Sequence, residues 1–381
     1  MSSAGKKIRV IIVDDSALMR KVLKDTLESD SSIEVIGEAR NGIEAVNLTL
    51  SLNPDVVIMD VVMPRMDGIT AIKEIMAKKP TPILVFSSIT QEGSKAAIDA
   101  LEAGALEVIA KPGGLPTVKN LGDLAKELIR KVKILATIGT VKLTAQLMLK
   151  GLRKPRRAAA LLVPKKKEIP LAVPAPVVAF IASSTGGPQT LMRVVPKISS
   201  SIPAATLIVQ HMPPLFTKSL AERLDRASQI KVVEASEGDT VLTGYGYVAP
   251  GGYHMLVKVK RGKPVIELDK GPKVHGVRPA ADVTMKSIVK VWGPAIVAAV
   301  LTGMGHDGAE GAIEIRKAGG YVIAQDERTS IVWGMPRAVI ERGAADAVLP
   351  LDKIGDEINR VLRLKVKRCP VKWAKLQIRS I

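Results

Sequence analysis

The stretch Val177-Val178-Ala179-Phe180-Ile181-Ala182-Ser183-Ser184-Thr185-Gly186-Gly187-Pro188-Gln189-Thr190-Leu191-Met192-Arg193 decides how this chain is read. Five consecutive apolar residues predict a buried strand, and the residues after Pro188 have helical spacing. Between them lie seven small or imino residues. A strand that turns sharply into a helix holds a hydroxyl out at the helix N-terminus. Backbone N–H groups and the positive end of the dipole favour an oxyanion there. Ser184, two residues before Gly186, occupies that position. Alone, such a turn serves equally well as a phosphate cradle or a tight packing element. Its partners elsewhere in the chain decide.

The first partner follows the next predicted strand, 206–210, which ends at His211 before Met212-Pro213-Pro214 and a helix over 215–224. The second follows the predicted strand 295–301. There Thr302-Gly303-Met304-Gly305-His306-Asp307-Gly308 leads into a helix over 309–318. Residues at the carboxyl ends of adjacent parallel strands can meet. A serine activated by an imidazole, with a carboxylate fixing the tautomer, is the general logic of a catalytic triad, so Ser184, His211 and Asp307 are the candidate nucleophile, base and orienter. The glycines leave backbone N–H groups exposed in the turn, and those of Thr185 and Met304 are candidates for binding an oxyanion. A phosphate site would also use the glycines, but no Lys stands in or directly after the loop. Ser183 is a rival nucleophile, disfavoured because strand alternation aims it away from the turn. His254, in an apparent hairpin, and His275, in a Gly/Pro-rich loop, are rival bases. His306 is expected to face solvent. The order Ser, His, Asp differs from the known hydrolase and protease orders and suggests a separate fold carrying the same geometry. Strands 245–249, 255–260 and 265–269 alternate with turn signals between them and predict a β-hairpin edge. Helices are expected over 280–291, 336–342 and 351–362.

The N-terminal third alternates strands and helices. Strands are expected at 8–13, 33–38, 56–59, 83–86 and 106–109, and helices after Ser16, at 42–50, 94–102 and 121–135. Continuous apolar strands in this alternation predict a parallel sheet covered on both faces. The strand ends carry Asp14, Asp15, Asp60, Ser87 and Lys111. Three clustered carboxylates repel one another unless a cation sits among them, and oxygen ligands with room for water suit Mg²⁺. Lys111 and the Ser87 hydroxyl would hold the oxygens of a phosphoryl group on Asp60.

The chain has 381 residues, 47% of them apolar, enough for two domains. One cysteine, Cys369, excludes a disulfide framework. No signal peptide and no run long enough to cross a bilayer is seen, so a soluble cytoplasmic protein is expected. The boundaries read as residues 1–135, a basic Pro-containing linker over 136–175, a second domain over 176–365 and a basic tail over 366–381. The net charge of +19 admits nucleic acid, an acidic membrane surface or an acidic protein as partner. Part of it lies in Arg153-Lys154-Pro155-Arg156-Arg157 and Pro164-Lys165-Lys166-Lys167. No aromatic residues for base stacking accompany these blocks, which favours a solvated linker.

Asp14-Asp15, Asp60 with Met63-Pro64 and Asp67-Gly68, Ser87 and Lys111-Pro112 resemble the motif set of two-component receiver domains. The resemblance implies a flavodoxin-like fold with a five-stranded parallel sheet, phosphorylation of Asp60 by a histidine kinase with Mg²⁺ held by Asp14, Asp15 and Asp60, and a switch involving Ser87 and Lys111. The second half resembles the catalytic domain of the chemotaxis methylesterases (the CheB family of protein-glutamate methylesterases/protein-glutamine glutaminases). The residues that carry this likeness are 182–188, 210–213, Ala249-Pro250-Gly251-Gly252 with His254-Met255, 301–305, 307–309 and Trp333-Gly334-Met335-Pro336. That likeness implies a doubly wound α/β domain with a β-hairpin, and Ser184, His211 and Asp307 as its triad. It also implies no cofactor for the chemistry, and as substrates the glutamate γ-methyl esters and glutamines of chemoreceptors. An unphosphorylated receiver is expected to occlude the Ser184 face. The competing readings are a receiver-linked DNA-binding protein, which needs a helix-turn-helix not visible in the second half, and a nucleotide-binding output domain.

Overall fold

The computed structural model describes residues 6–111, 118–151 and 173–368. The chain divides into two compact units, Met1–Arg156 and Arg157–Ile381.

The first unit runs β1 (Ile8–Val13), α1 (Ala17–Glu28), β2 (Ile33–Ala39), α2 (Gly42–Leu52), β3 (Val56–Met59), α3 (Gly68–Lys78), β4 (Ile83–Ser87), α4 (Gln91–Ala103), β5 (Glu107–Ala110) and α5 (Val118–Gly151). The five strands are all parallel in the order β2-β1-β3-β4-β5. Every residue of β3 and β4 is buried, as helices on both faces require. Short polar residues start the helices. Ser16, Asn41, Asp67 and Thr90 each accept a hydrogen bond from the N–H three residues on. The helix expected to end at 135 continues to Gly151. It is interrupted at Gly139, whose φ of 63° and ψ of 160° are not helical. Of the partly helical stretch expected near 144–152, residues 144–151 belong to this extension and Leu152 lies outside the described residues. The basic blocks at 153–157 and 164–167, and the tail with Trp373, lie outside the described residues.

The second unit runs β6 (Val177–Ser183), α6 (Gly187–Val194), β7 (Ala204–Gln210), α7 (Phe216–Ala227), β8 (Lys231–Glu234), β9 (Tyr245–Val248), β10 (His254–Lys260), β11 (Lys263–Asp269), α8 (Ala281–Trp292), β12 (Ile296–Val300), α9 (Ala309–Lys317), β13 (Tyr321–Gln325), α10 (Met335–Glu341), β14 (Ala347–Leu349) and α11 (Leu351–Lys367). Seven strands form a parallel sheet in the order β14-β13-β12-β6-β7-β9-β8. From β12 the chain runs outward through β13 to β14, and from β6 it runs the other way to β7 and on to β8 at the edge, with β9 returning between β7 and β8, so the topological switch lies between β6 and β12. Crevices in doubly wound sheets open at that point. β6, β7 and β12 are buried throughout.

Two details differ from the reading of the sequence. The segment 245–249 was expected to join the hairpin. It instead enters the main sheet as β9, parallel to β7 and β8, and only β10 and β11 pair as an antiparallel ribbon. Gly246, Tyr247 and Val248 are buried on both faces, which a ribbon edge would not provide. The strands β8, β13 and β14, short or flanked by charge, were not anticipated at all.

Candidate functional site

Ser184 stands one residue past β6 and His211 one residue past β7. The last paired residues of these strands are Ser183 and Gln210. Extending that register by one residue places Ser184 beside His211, with backbones about 5 Å apart. On the other flank the Ser184 N–H donates to the Thr302 carbonyl at 3.0 Å, carrying the β6–β12 pairing into the loop that bears Asp307. The sheet thus delivers three loops to one place.

His211 Nε2 and Asp307 Oδ2 are 2.7 Å apart, with side chains 9% and 2% exposed. Two further donors hold Asp307. The N–H of Ala281 reaches Oδ2 at 2.6 Å and that of Asp282 reaches Oδ1 at 2.9 Å. Both belong to the first turn of α8, whose unpaired donors and dipole favour an anion. Burial alone would raise the Asp307 carboxyl. The His211 contact and the two N–H groups outweigh it and hold the pKa below the usual carboxylate value. The carboxylate is therefore a fixed anion that accepts a hydrogen bond from the Nε2–H of His211. Nδ1 is left as the basic nitrogen, the reverse of the usage in serine proteases.

The turn itself is braced by residues to which their spacing in the sequence assigns no role. Gln210 Oε1 accepts from the Ser183 hydroxyl at 2.7 Å, while its Nε2 donates to the carbonyls of Ser184 at 2.9 Å and His211 at 3.1 Å. Thr302 Oγ1 lies 3.0 Å from the Thr185 carbonyl and accepts from the Val332 N–H at 2.9 Å. The Gly303 carbonyl accepts from the N–H groups of Gly334 and Met335, which gives the Trp333-Gly334-Met335 motif its role as a buttress for the 302–305 loop. A Cβ on Gly303 would lie 2.3 Å from Met335 Sδ and 2.8 Å from Ser184 Cβ. Only glycine lets the loop come this close to the serine. Chain spacing gives no warning of Gln210 or Thr302, because their partners come from other strands.

The rivals separate clearly. Ser183 is fully buried and spends its hydroxyl on Gln210. His254 is buried with both ring nitrogens engaged, Nε2 with the Pro272 carbonyl at 2.9 Å and Nδ1 with the Ala280 N–H at 3.2 Å. It packs the hairpin onto α8. His275 Nε2 lies 2.8 Å from Asp282 Oδ2. His306 is exposed, as expected, but sits edge-on to the His275 ring with centroids 4.5 Å apart.

The first unit gathers a second cluster. Asp14, Asp15 and Asp60 each bring a carboxylate oxygen within 4.8 Å of the others. Lys111 Nζ bridges Asp14 and Asp60, at 2.7 Å from each. Burial, against the pull of Lys111, leaves the Asp60 carboxyl raised above its usual value, with Asp14 adding to the rise. Burial works to lower the Lys111 ammonium, but the two carboxylates prevail and raise it. An all-oxygen set with three carboxylates against one ammonium fits a hard divalent cation. Gly68 explains the Asp67-Gly68 pair: a Cβ there would stand 2.1 Å from the Asp60 carbonyl, while Asp67 caps α3. Ser87 is buried and donates to the Gly93 carbonyl at 3.0 Å, a bond that a phosphoryl oxygen would have to replace.

Fold and sites together define a receiver-coupled α/β hydrolase. Residues 10–121 match the response regulator receiver domain and residues 179–358 match CheB methylesterase. Over 364 residues the chain is 50% identical to the protein-glutamate methylesterase/protein-glutamine glutaminase of Pyrococcus abyssi and 49% identical to that of Pyrococcus horikoshii, in each case covering 96% of both chains. The crystal structure of the Thermotoga maritima CheB methylesterase catalytic domain is 44% identical, matches 50% of this chain and 100% of its own, and gives a TM-score of 0.48. The chain belongs to the family of protein-glutamate methylesterases/protein-glutamine glutaminases, with a receiver domain ahead of the CheB methylesterase domain.

Proposed function

We propose that the chain removes methyl groups from glutamate γ-methyl esters, and ammonia from glutamines, on the cytoplasmic helices of chemoreceptors, under control of phosphorylation at Asp60. The observation that carries the chemistry is the 2.7 Å His211–Asp307 pair set one register step from a half-buried serine at a strand-to-helix turn. Ser184 Oγ attacks the γ-carbonyl carbon as His211 Nδ1 takes its proton. The oxyanion is bound by backbone N–H groups, for which Thr185 and Met304 are the candidates. The carbonyl re-forms, the C–O bond to the methoxy group breaks, and His211 returns its proton to release methanol. Water, deprotonated by His211, then attacks the acyl-serine and frees the glutamate side chain. With glutamine the leaving group is ammonia. These steps call on no cofactor.

In the receiver, Asp14, Asp15 and Asp60 would hold Mg²⁺, whose charge offsets the phosphoryl oxygens during transfer from a histidine kinase. Lys111 would pair with a phosphoryl oxygen on Asp60, and Ser87 would turn from Gly93 toward it, biasing a two-state surface. Phosphorylation of the receiver raises the esterase rate. The assignment of residues 1–135 to the receiver, 136–175 to a connector, 176–365 to the esterase and 366–381 to a tail is part of this reading, as is a cytoplasmic location. No helix among the described residues is long and apolar enough to cross a membrane. The basic charge speeds docking on acidic receptor helices, and nucleic acid is not expected as a partner. The test is methanol release from a methylated receptor fragment, with an activated phosphonate used to label the nucleophile. A modified peptide containing Ser184 supports the reading; labelling elsewhere, with turnover intact in Ser184→Ala, overturns it.

A further inference from the structure

A third group of ligand-bearing side chains lies in the second unit, apart from the serine turn. His275 comes from the loop between β11 and α8, Asp282 from the first turn of α8 and Glu310 from the first turn of α9. One donor atom from each falls within 4.8 Å of the others, the same closeness that marks Asp14, Asp15 and Asp60. His275 Nε2 is 2.8 Å from Asp282 Oδ2. The Asp282 side chain is 1% exposed, and its other oxygen is fixed by the Gly311 N–H at 2.7 Å. A buried carboxylate thus presents one oxygen outward, oriented from behind. The His306 ring packs edge-on against the His275 imidazole, with centroids 4.5 Å apart. Glu310 is exposed and paired with Lys286 at 2.5 Å, a surface contact of little strength. The esterase chemistry uses none of these three side chains; of the three residues only the Asp282 backbone N–H touches the triad, at Asp307.

Chemistry separates this group from the receiver's cluster. Three carboxylates suit Mg²⁺, whereas one imidazole with two carboxylates suits a borderline transition ion. Bonds of about 2.0–2.2 Å to such an ion set tetrahedral ligand atoms ~3.4 Å apart. His275 Nε2 and Asp282 Oδ2 are 2.8 Å apart and all three ligand atoms lie within 4.8 Å of one another, so side-chain rotations suffice to reach that spacing. We propose that His275, Asp282 and Glu310 form a binding site for a divalent zinc-class ion, with water completing the coordination and the Gly311 N–H as its outer support. The site is one hydrogen bond from Asp307, through the Asp282 N–H, yet it stands independently of the triad's role.

The experiment titrates the full chain with Zn²⁺ against a chromogenic chelator, in excess Mg²⁺ to occupy the receiver carboxylates. Co²⁺ replaces Zn²⁺ in a parallel series read by visible absorption. One site is expected in the parent protein, weakened at least about tenfold in His275→Gln and in Glu310→Gln and unchanged in Asp15→Asn. Both weakening substitutions are at exposed positions and leave the buried Asp282 in place, so folding is retained. A parent protein that binds no Zn²⁺, equal affinity in the parent and both variants, or loss of the site in Asp15→Asn would each overturn the proposal.

Discussion

The receiver pocket and the esterase centre are built alike and tuned oppositely. Each lies at the carboxyl ends of parallel strands, and each has a buried aspartate at its heart. Asp60 is surrounded by other side-chain charges, Asp14 and Lys111, and burial leaves its carboxyl easier to protonate than usual. Asp307 is surrounded by fixed N–H donors from α8 and by His211, and is harder to protonate than usual. A carboxylate that must receive a phosphoryl group needs neighbours that can rearrange around new charge. One that must orient an imidazole needs neighbours that cannot. Backbone donors at a helix N-terminus supply that fixity, whereas a lysine and a cation supply the exchangeable kind.

Mutation can break this comparison at four levels. The largest effect should follow loss of the nucleophile: Ser184→Ala is expected to lower kcat for methyl-ester hydrolysis by about 10⁵-fold or more, measured as methanol released. Asp307→Asn should cost about 10⁴-fold while leaving Asp60 phosphorylation untouched. The same variant carries a pH signature. A carboxyl whose folded pKa lies below its unfolded value of about 3.9 contributes stability that is present above that value and disappears as pH falls through the folded pKa. The stability gap between the parent and Asp307→Asn, followed by urea unfolding of the second domain, should therefore narrow below about pH 4. A gap that widens on acidification would contradict the assignment of Asp307 as a fixed anion. Asp60→Asn should abolish stimulation by a small-molecule phosphodonor and keep the basal esterase rate; stimulation that persists would uncouple the two centres. The smallest effect is reserved for Ser183→Ala. Removing the hydroxyl that donates to Gln210 should cost about 1 kcal/mol of stability, read by denaturant melting, with turnover changed less than tenfold. A collapse of activity instead would reinstate Ser183 as a rival to Ser184.

Much of the fold is legible in the sequence wherever apolar runs are long. β1, β3, β6, β7 and β12 announce themselves because both faces of each are buried, and Asp14, Asp60, Ser184 and His211 can be placed at their ends without coordinates. Short strands escape. β14 is three residues long and β8 carries charge at both ends, so neither shows a period. β9 was assigned to the hairpin because alternation in Tyr245–Val248 looks the same whether the neighbouring strand is parallel or antiparallel. Of the histidines, spacing could not distinguish His254 from His211. Only the contacts made by Pro272 and Ala280 show that its ring is fully occupied.

The sequence by itself determined the local elements and the chemistry each could bring: hydrophobic periodicity and turn residues act over a few positions, and Asp, Ser, His and Lys keep their chemistry wherever they land. The tertiary structure decided which of those groups meet. Strand order put β6 between β7 and β12, the N-terminus of α8 fixed Asp307 as an anion, and Gln210 and Thr302 braced the serine turn from neighbouring strands. Such pairings depend on sheet register and helix placement across the whole domain, and no local pattern encodes them.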